Sequence, residues 1–429
     1  MIILSKISGI LIFLSFLVTI YAYFFQNNMI ILAGIFAWIA FLFLFSTLKN
    51  KILIIILLLF SLLAYIIVLV NNFEINFIKI FTVNQYLLTL LIGVGFLRLI
   101  AMPKKDKTSS LPKGKNSFIK TYLSVHLFGS VINLSSLILV ADKMYKKAPL
   151  SKSQIILLTR AFSSDAYWSP FFVAFAAAIT YAPKLNSSVI IINGLVLAFI
   201  AFIITYYDVI KEEVYDIENF HGYPLSFNSL FLPFLLALLV LITNSYFPDI
   251  KVIILISLFS IIMTLFILPI KKGIKNSFRF LMVHIIDELP KMKSEISLFL
   301  VAGMFGIIIG SILTGLDFNL PFTNFDWKIA SLLLLVFIIL SFVGIHPIIT
   351  ISIIGDYLSS VNHTLLALTF LMAWSTTVST SPFSGLNLTI VARYACSAKE
   401  IFIMNISYAI KMYIVCIICL YILSNYFDL

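Results

Sequence analysis

Asp165 lies in the stretch Ser163-Ser164-Asp165-Ala166-Tyr167-Trp168-Ser169-Pro170, which interrupts the otherwise apolar run 154–182. An ionisable side chain inside such a run is costly to place in hydrocarbon, so function is its default reading. With the hydroxyls of Ser163 and Ser164 and nearby carbonyls it offers the oxygen donors a hard cation such as Na⁺ takes. By itself it could bind and release a proton. Arg160, about one helical turn earlier, supplies the competing reading, a structural ion pair. A second polar run, Ser375-Thr376-Thr377-Val378-Ser379-Thr380-Ser381-Pro382, interrupts 363–393 in the same manner. Ser169-Pro170 and Ser381-Pro382 have the order of an N-cap followed by a proline at the first helical position. Inner half-helices over 170–181 and 382–393 are therefore expected. Their free N–H groups and positive dipole ends would point at the bilayer centre, where an anion would be held.

The candidate substrate contacts are Ser169, Thr377, Ser379, Thr380 and Ser381 from these breaks. Asn133, Ser135, Ser136 and His346 join them from two apolar segments that carry polar residues at their centres. The candidate cation or proton contacts are Ser163, Ser164 and Asp165. His346 has the chemistry to titrate or to touch substrate, and equally to pack at a turn with a backbone carbonyl as acceptor. Prolines and serines are also ordinary in membrane helices, where a serine satisfies a kinked backbone. Recurrence of the break favours a site over a kink. Lys411 in the last span is read as snorkelling and left out. Tyr167 and Trp168 stand where they could flank a ligand, although aromatic packing is the commoner role. Cys396, Cys416 and Cys419 lie in apolar surroundings and imply neither a disulfide framework nor a metal site. No phosphate loop, nucleophile elbow or metal-ligand spacing occurs, so no enzyme and no cofactor is expected.

The elements that must position these residues are membrane helices. The 429 residues are 62% hydrophobic and 11% charged, more apolar surface than a water-soluble fold can hide. Apolar runs of spanning length recur near 7–25, 29–47, 52–70, 85–101, 188–207, 228–247, 251–269, 297–315 and 401–424, with the interrupted runs between them. The first run ends in bulky residues with no cleavage site and reads as a retained span. The net charge of +11 resides in short loops, and it marks topology rather than nucleic-acid binding. Lys104, Lys105, Lys107, Lys113 and Lys115 precede the apolar piece 119–141, and Lys143, Lys146, Lys147 and Lys152 follow it. Both clusters belong to the cytoplasm if 116–145 is a re-entrant hairpin. The segment 329–358, with Gly344-Ile345-His346-Pro347 at its centre, is then a second hairpin, entering from the other side. With Lys49, Lys51 and a basic loop 270–295 also inside, the expectation is an all-α polytopic protein. It has about 11 spans and two opposed hairpins, a cytoplasmic N-terminus and an outside C-terminus.

The hairpins and the spans after them repeat in sequence. Trp168-Ser169-Pro170-Phe171 matches Thr380-Ser381-Pro382-Phe383 at an offset of 212 (381 minus 169), and the same offset places Ser163 on Ser375. A small gap brings Ala141-Asp142 onto Gly355-Asp356. An odd number of intervening spans inverts one unit against the other, the plan of secondary transporters. The expected organisation is N-terminal scaffold spans in 1–84, a first core in 85–207 with its broken helix 154–182, linking spans and a cytoplasmic loop in 208–295, and a second core in 296–429 with its broken helix 363–393.

In layout, over nearly the whole chain, this arrangement resembles the ion transporter superfamily, most closely the divalent anion/sodium symporters. That family's Ser-Asn-Thr hairpin-tip signature is replaced here by Ile132-Asn133-Leu134-Ser135-Ser136 and by Ile345-His346-Pro347-Ile348. The resemblance implies elevator-type movement of the hairpin and broken-helix units. The expected function is secondary active transport of a small solute, with an organic anion favoured, across the cell's inner (cytoplasmic) membrane. Na⁺ or H⁺ would be the coupling ion, the solute and the bilayer the partners, and a homodimer the candidate assembly. Nucleic acid is not expected as a partner. The alternative is a Na⁺/H⁺ antiporter. A lipid-linked glycan polymerase, from a different class, would show a long charged outer loop, and the outer loops here are short.

Overall fold

The computed structural model describes residues 2–48, 51–101, 111–211, 217–223, 231–318, 320–322, 324–355 and 357–426. Lys49, Lys104, Lys105, Lys107 and Asp356 lie outside them. The described residues are almost entirely helical, since a backbone in hydrocarbon must satisfy its polar groups within its own segment. Among the described residues eight helices are long and apolar enough to cross a membrane, so the chain is a polytopic α-helical membrane protein. Its exposed side chains are those of a lipid-facing surface: Leu59, Phe60, Leu62 and Leu63 project from one helix, each more than half exposed.

Chain order is α1 (Ile2–Phe24), α2 (Ile30–Phe45), α3 (Lys51–Val70), α4 (Phe77–Thr82) and α5 (Gln85–Ala101). Then come α6 (Lys115–Ile132), α7 (Leu134–Tyr145), α8 (Lys152–Ser163), α9 (Val173–Tyr181) and α10 (Ser187–Lys211). The second half holds α11 (Phe231–Tyr246), α12 (Val252–Lys272), α13 (Ile274–Val283), α14 (Lys293–Gly315) and α15 (Trp327–Phe342). It closes with α16 (Pro347–Ile354), α17 (His363–Thr380), α18 (Gly385–Arg393) and α19 (Ala398–Tyr426).

Two compact units result. The first comprises 1–102, 234–321 and 348–359. In it α1 packs on α2, α12 on α5 and α14 on α3, so 85–101 and 296–315 group with the N-terminal helices. The basic segment 270–295, expected as a loop, is instead helical: Gly273 (φ +79) ends α12, and α13, a π-turn over His284–Glu288 and a 3₁₀ turn over Leu289–Met292 lead into α14. Phe278 and Phe280 alternate there with Lys275 and Arg279, so the segment carries enough apolar residues to fold on a membrane-facing side.

The second unit comprises 103–233, 322–347 and 360–429 and holds both interrupted runs. The α6–α7 pair turns on the single residue Asn133, at φ 55 and ψ −148. Its two ends reach one segment, since Thr121 Oγ1 accepts from the Tyr223 N–H (2.7 Å) and Lys143 Nζ lies 5.1 Å over the Tyr223 ring. The helices carrying the breaks have matching starts. Ser151 and Gln154 form a reciprocal capping box at α8. Asn362 caps α17 by accepting from the Thr364 and Leu365 N–H groups.

Candidate functional site

Both breaks differ in place from the sequence expectation, for one local reason. After α8 the chain continues as a 3₁₀ turn over Ser164–Tyr167, and α9 starts only at Val173 with Phe172 as its N-cap. Along the second run α17 stays helical through Thr380, so Ser375, Thr376, Thr377 and Ser379 are helical residues. The interruption is 381–384, and α18 starts at Gly385 on the Ser384 cap. Neither Ser169 nor Ser381 is therefore the N-cap of an inner half-helix. Each builds a short turn, accepting from the backbone N–H two residues on, that of Phe171 (3.2 Å) or Phe383 (3.3 Å). The turn uses up the residues that the Ser-Pro pattern assigns to the first helical positions.

Each serine donates its proton to a helix distant in sequence. Ser169 Oγ donates to the Ser130 carbonyl at 2.5 Å, and Ser381 Oγ donates to the Ser341 carbonyl at 2.6 Å. Ser130 and Ser341 differ by 211 (341 minus 130), and the same offset relates the turn residues Asn133 (φ 55) and Gly344 (φ +103). Asn133 Nδ2 reaches the Phe171 carbonyl (3.4 Å), and the Phe383 ring lies against Gly344. The two breaks also meet, as Ser375 Oγ donates to the Ser163 carbonyl at 2.7 Å and Tyr167 Oη lies 3.3 Å from Thr376 Oγ1. Residues at equivalent repeat positions thus touch each other.

His346, Thr377 and Ser381 are brought together. With Ser341, Gly344, Pro347, Val378, Phe383 and Ser384 they line a small cleft of about 10 Å³, room for about one water molecule. The His346 ring sits edge-on to Trp374, with centroids 5.1 Å apart. Ser341, Thr377, Ser381 and Ser384 bring hydroxyls to a lining that is otherwise mostly apolar, no acidic side chain is among its described residues, and it includes both the cap of α18 and the first residue of α16. Ser379 and Thr380 are fully buried outside this lining, and the Ser379 carbonyl accepts from Asn387 Nδ2 (3.0 Å) and Asn405 Nδ2 (3.1 Å). Asn133, Ser135, Ser136 and Ser169 belong to the other hairpin and break, and Ser136 Oγ donates to the Asn133 carbonyl at 2.8 Å.

Asp165 is fully buried, and its partner is not Arg160. Arg160 donates from Nε to Asn405 Oδ1 (2.8 Å), from one terminal nitrogen to Asp208 Oδ2 (2.8 Å) and from the other to the Met404 carbonyl (2.9 Å), and its plane lies 4.5 Å over the Tyr408 ring. Lys411, read from sequence as snorkelling, pairs with the other Asp208 oxygen at 2.5 Å. Beside Asp165 stands His126 of α6, with Nδ1 2.8 Å from Oδ1. Alignment there is poor, and neither carboxylate oxygen accepts a well-directed hydrogen bond among the described residues. The same Nδ1 lies 2.9 Å from Ser164 Oγ and 3.1 Å from the Ala161 carbonyl. On the far side of the ring, Nε2 accepts from the Trp168 indole N–H at 3.1 Å. Ser163 and Ser164 donate their hydroxyl protons to the Arg160 and Ala161 carbonyls, one turn back.

Outside the spanning segments, Asp142 at the end of α7 accepts from Tyr394 Oη (2.7 Å) and pairs with Arg393 (3.2 Å). Burial, and after it the bond to Asp142, holds the Tyr394 phenol above its ordinary value.

His126, Ser341, Ser384, Asn387 and Asn405 were not legible in the sequence as site residues. The available signal was a lone histidine three residues before Gly129, at a helix position facing a break that only the fold defines. Neither a protein-family model nor a curated protein sequence matches the chain.

Proposed function

We propose that this protein is a secondary active transporter that carries a small organic anion across the cytoplasmic membrane, coupled to a cation gradient. The observation that carries the reading is the repeat-related pair of serine bonds, Ser169 to Ser130 and Ser381 to Ser341, each fastening a hairpin to a broken helix. Irregular backbone at membrane depth is tolerated where it lines a cavity, and paired breaks in repeated units are where transporters hold solute. The Ser341, Thr377, Ser381 and Ser384 hydroxyls beside the starts of α16 and α18, with no acidic side chain among them, suit the charged group of an anion. Asp165 supplies the negative charge that a coupling cation neutralises. On this reading α6–α7 and α15–α16 are opposed re-entrant hairpins, the remaining helices make about eleven spans, and the two broken helices move as an elevator together with α6–α7 and α15.

The test is uptake of a panel of radiolabelled mono-, di- and tricarboxylates into proteoliposomes under H⁺ or Na⁺ gradients. Saturable uptake of at least one, reduced in Ser381→Ala, is expected. The Asp165 site also favours a second reading, a Na⁺/H⁺ antiporter. Gradient-driven ion exchange with no uptake of any carboxylate would replace the first reading by the second.

A further inference from the structure

Building on the transporter reading, we infer that Trp168, His126 and Asp165 form a gated proton relay, and that the ion bound at Asp165 is H⁺. The indole N–H is a donor only, so the histidine nitrogen that accepts it, Nε2, carries no proton. A neutral ring then has its proton on Nδ1, and that N–H faces Asp165 Oδ1, Ser164 Oγ and the Ala161 carbonyl, all within 3.1 Å. While the indole stays in place the ring cannot become imidazolium without turning two N–H groups on each other. His126 therefore does not neutralise the carboxylate, and the buried pair carries one uncompensated negative charge.

The same geometry excludes Na⁺, which takes several oxygen ligands. One carboxylate oxygen faces an N–H donor. The other lies against the backbone of α6 at Gly129, where a Cβ would fall 2.2 Å from it. Of the neighbouring serine oxygens, that of Ser164 faces the same N–H at 2.9 Å. The other titratable or charged groups around Asp165 among the described residues include Tyr167 of the same turn, Tyr122 of α6, 3.4 Å from Ser164 Oγ, and Arg160 of α8, which is turned to Asp208 of α10 beneath Tyr408 of α19. Against this turn α17 presents the hydroxyls of Ser375 and Thr376.

Access decides the order of events. Asp165 and Ser164 have no exposed surface, His126 is 9% exposed and Trp168 is partly exposed, so a proton reaches the carboxylate through the ring. When the indole swings away, a hydronium ion protonates Nε2 and leaves water. Nδ1 passes its proton to Asp165 Oδ1, which leaves a neutral carboxyl and a neutral ring protonated on Nε2. Return of the indole requires the reverse transfer or a turn of the ring, which ties proton exchange to movement at the break.

The experiment uses full-length protein and only H⁺, Na⁺ and K⁺ as probes. Infrared difference spectra between acidic and alkaline pH should contain a protonated-carboxyl band that is absent in Asp165→Asn and present but shifted in Asp165→Glu. The glutamate variant separates loss of the group from loss of the fold. Replacing K⁺ by Na⁺ should leave the band unchanged. In proteoliposomes with an internal pH dye and a K⁺ diffusion potential, Trp168→Phe keeps the ring but removes the donor. It should raise solute-free proton leak about five- to tenfold, the weight of one hydrogen bond. No Asp165-dependent band, or a band abolished by Na⁺, would overturn the proton assignment even if carboxylate uptake is found. A wild-type leak in Trp168→Phe would overturn the gate. The band and the leak without any solute or ion transport by the wild type would sink the transporter reading and leave the relay standing.

Discussion

Arg160 is the residue whose environment differs most from what its spacing suggests. It lies five positions before Asp165 but spends its donors on Asp208, Asn405 and Met404, and Asp208 also holds Lys411. Burial decides the value of each partner. Removing the Asp208 charge leaves a buried guanidinium without its counter-ion, so Asp208→Asn is expected to destabilise the protein by about 3 kcal/mol. Lys411 is half exposed, and Lys411→Met should cost about 1 kcal/mol or less. Thermal unfolding in detergent reads both, and equal losses would show that exposure does not govern this triad. At the hairpin turns the same scale is set by the backbone. Gly344 at φ +103 occupies a region that disfavours a side chain, so Gly344→Ala should cost about 1–2 kcal/mol. Asn133, at its equivalent position with φ 55, should gain from replacement by glycine by about 1 kcal/mol, as read by the same unfolding assay.

At the scale of the element, each break is fastened to another helix by a serine hydroxyl, Ser169 to α6 and Ser381 to α15. Ser169→Ala and Ser381→Ala should each loosen that attachment by about 1 kcal/mol, the net worth of a buried hydrogen bond. Hydrogen exchange should quicken in the attached helices, 115–145 for Ser169→Ala and 327–342 for Ser381→Ala, and each variant should leave the other's segment as it was. Because Ser381 lines the cavity and Ser169 does not, only Ser381→Ala should also weaken binding of the carboxylate found by uptake. Equal weakening by both variants would mean that the first break contributes to the same site.

For the whole molecule, the positive clusters and the ends of α6–α7 lead to one expectation. Single cysteines at Lys113 and Lys147 should react with an impermeant maleimide from one face of the membrane, and a cysteine at Ser359 from the other. Opposite labelling of Lys113 and Lys147 would make 115–145 a simple span and remove the inverted-repeat argument.

Membrane class and the existence of two interrupted runs followed from sequence alone, because an unbroken apolar run of spanning length has few folded alternatives to a helix and a polar run inside it is costly enough to stand out. The offset of 212 was equally visible, since equivalent serines keep their type. The tertiary structure decided where each run breaks and whom its polar residues meet. Ser375 to Ser379 read as an interruption, yet they remain helical, with the Thr377 and Ser379 hydroxyls bonding within the helix, as Thr377 Oγ1 does to the Ala373 carbonyl (2.8 Å), and that of Ser375 meeting the Ser163 carbonyl. The apparent cap at Ser169 became a turn, its oxygen accepting from the Phe171 N–H, and its proton went to a carbonyl of α6 distant in sequence. Asp165 took His126 rather than Arg160 as its neighbour because side-chain direction around a helix, fixed only when α6, α10 and α19 pack on α8, sends the guanidinium to Asp208 and leaves the carboxylate facing α6.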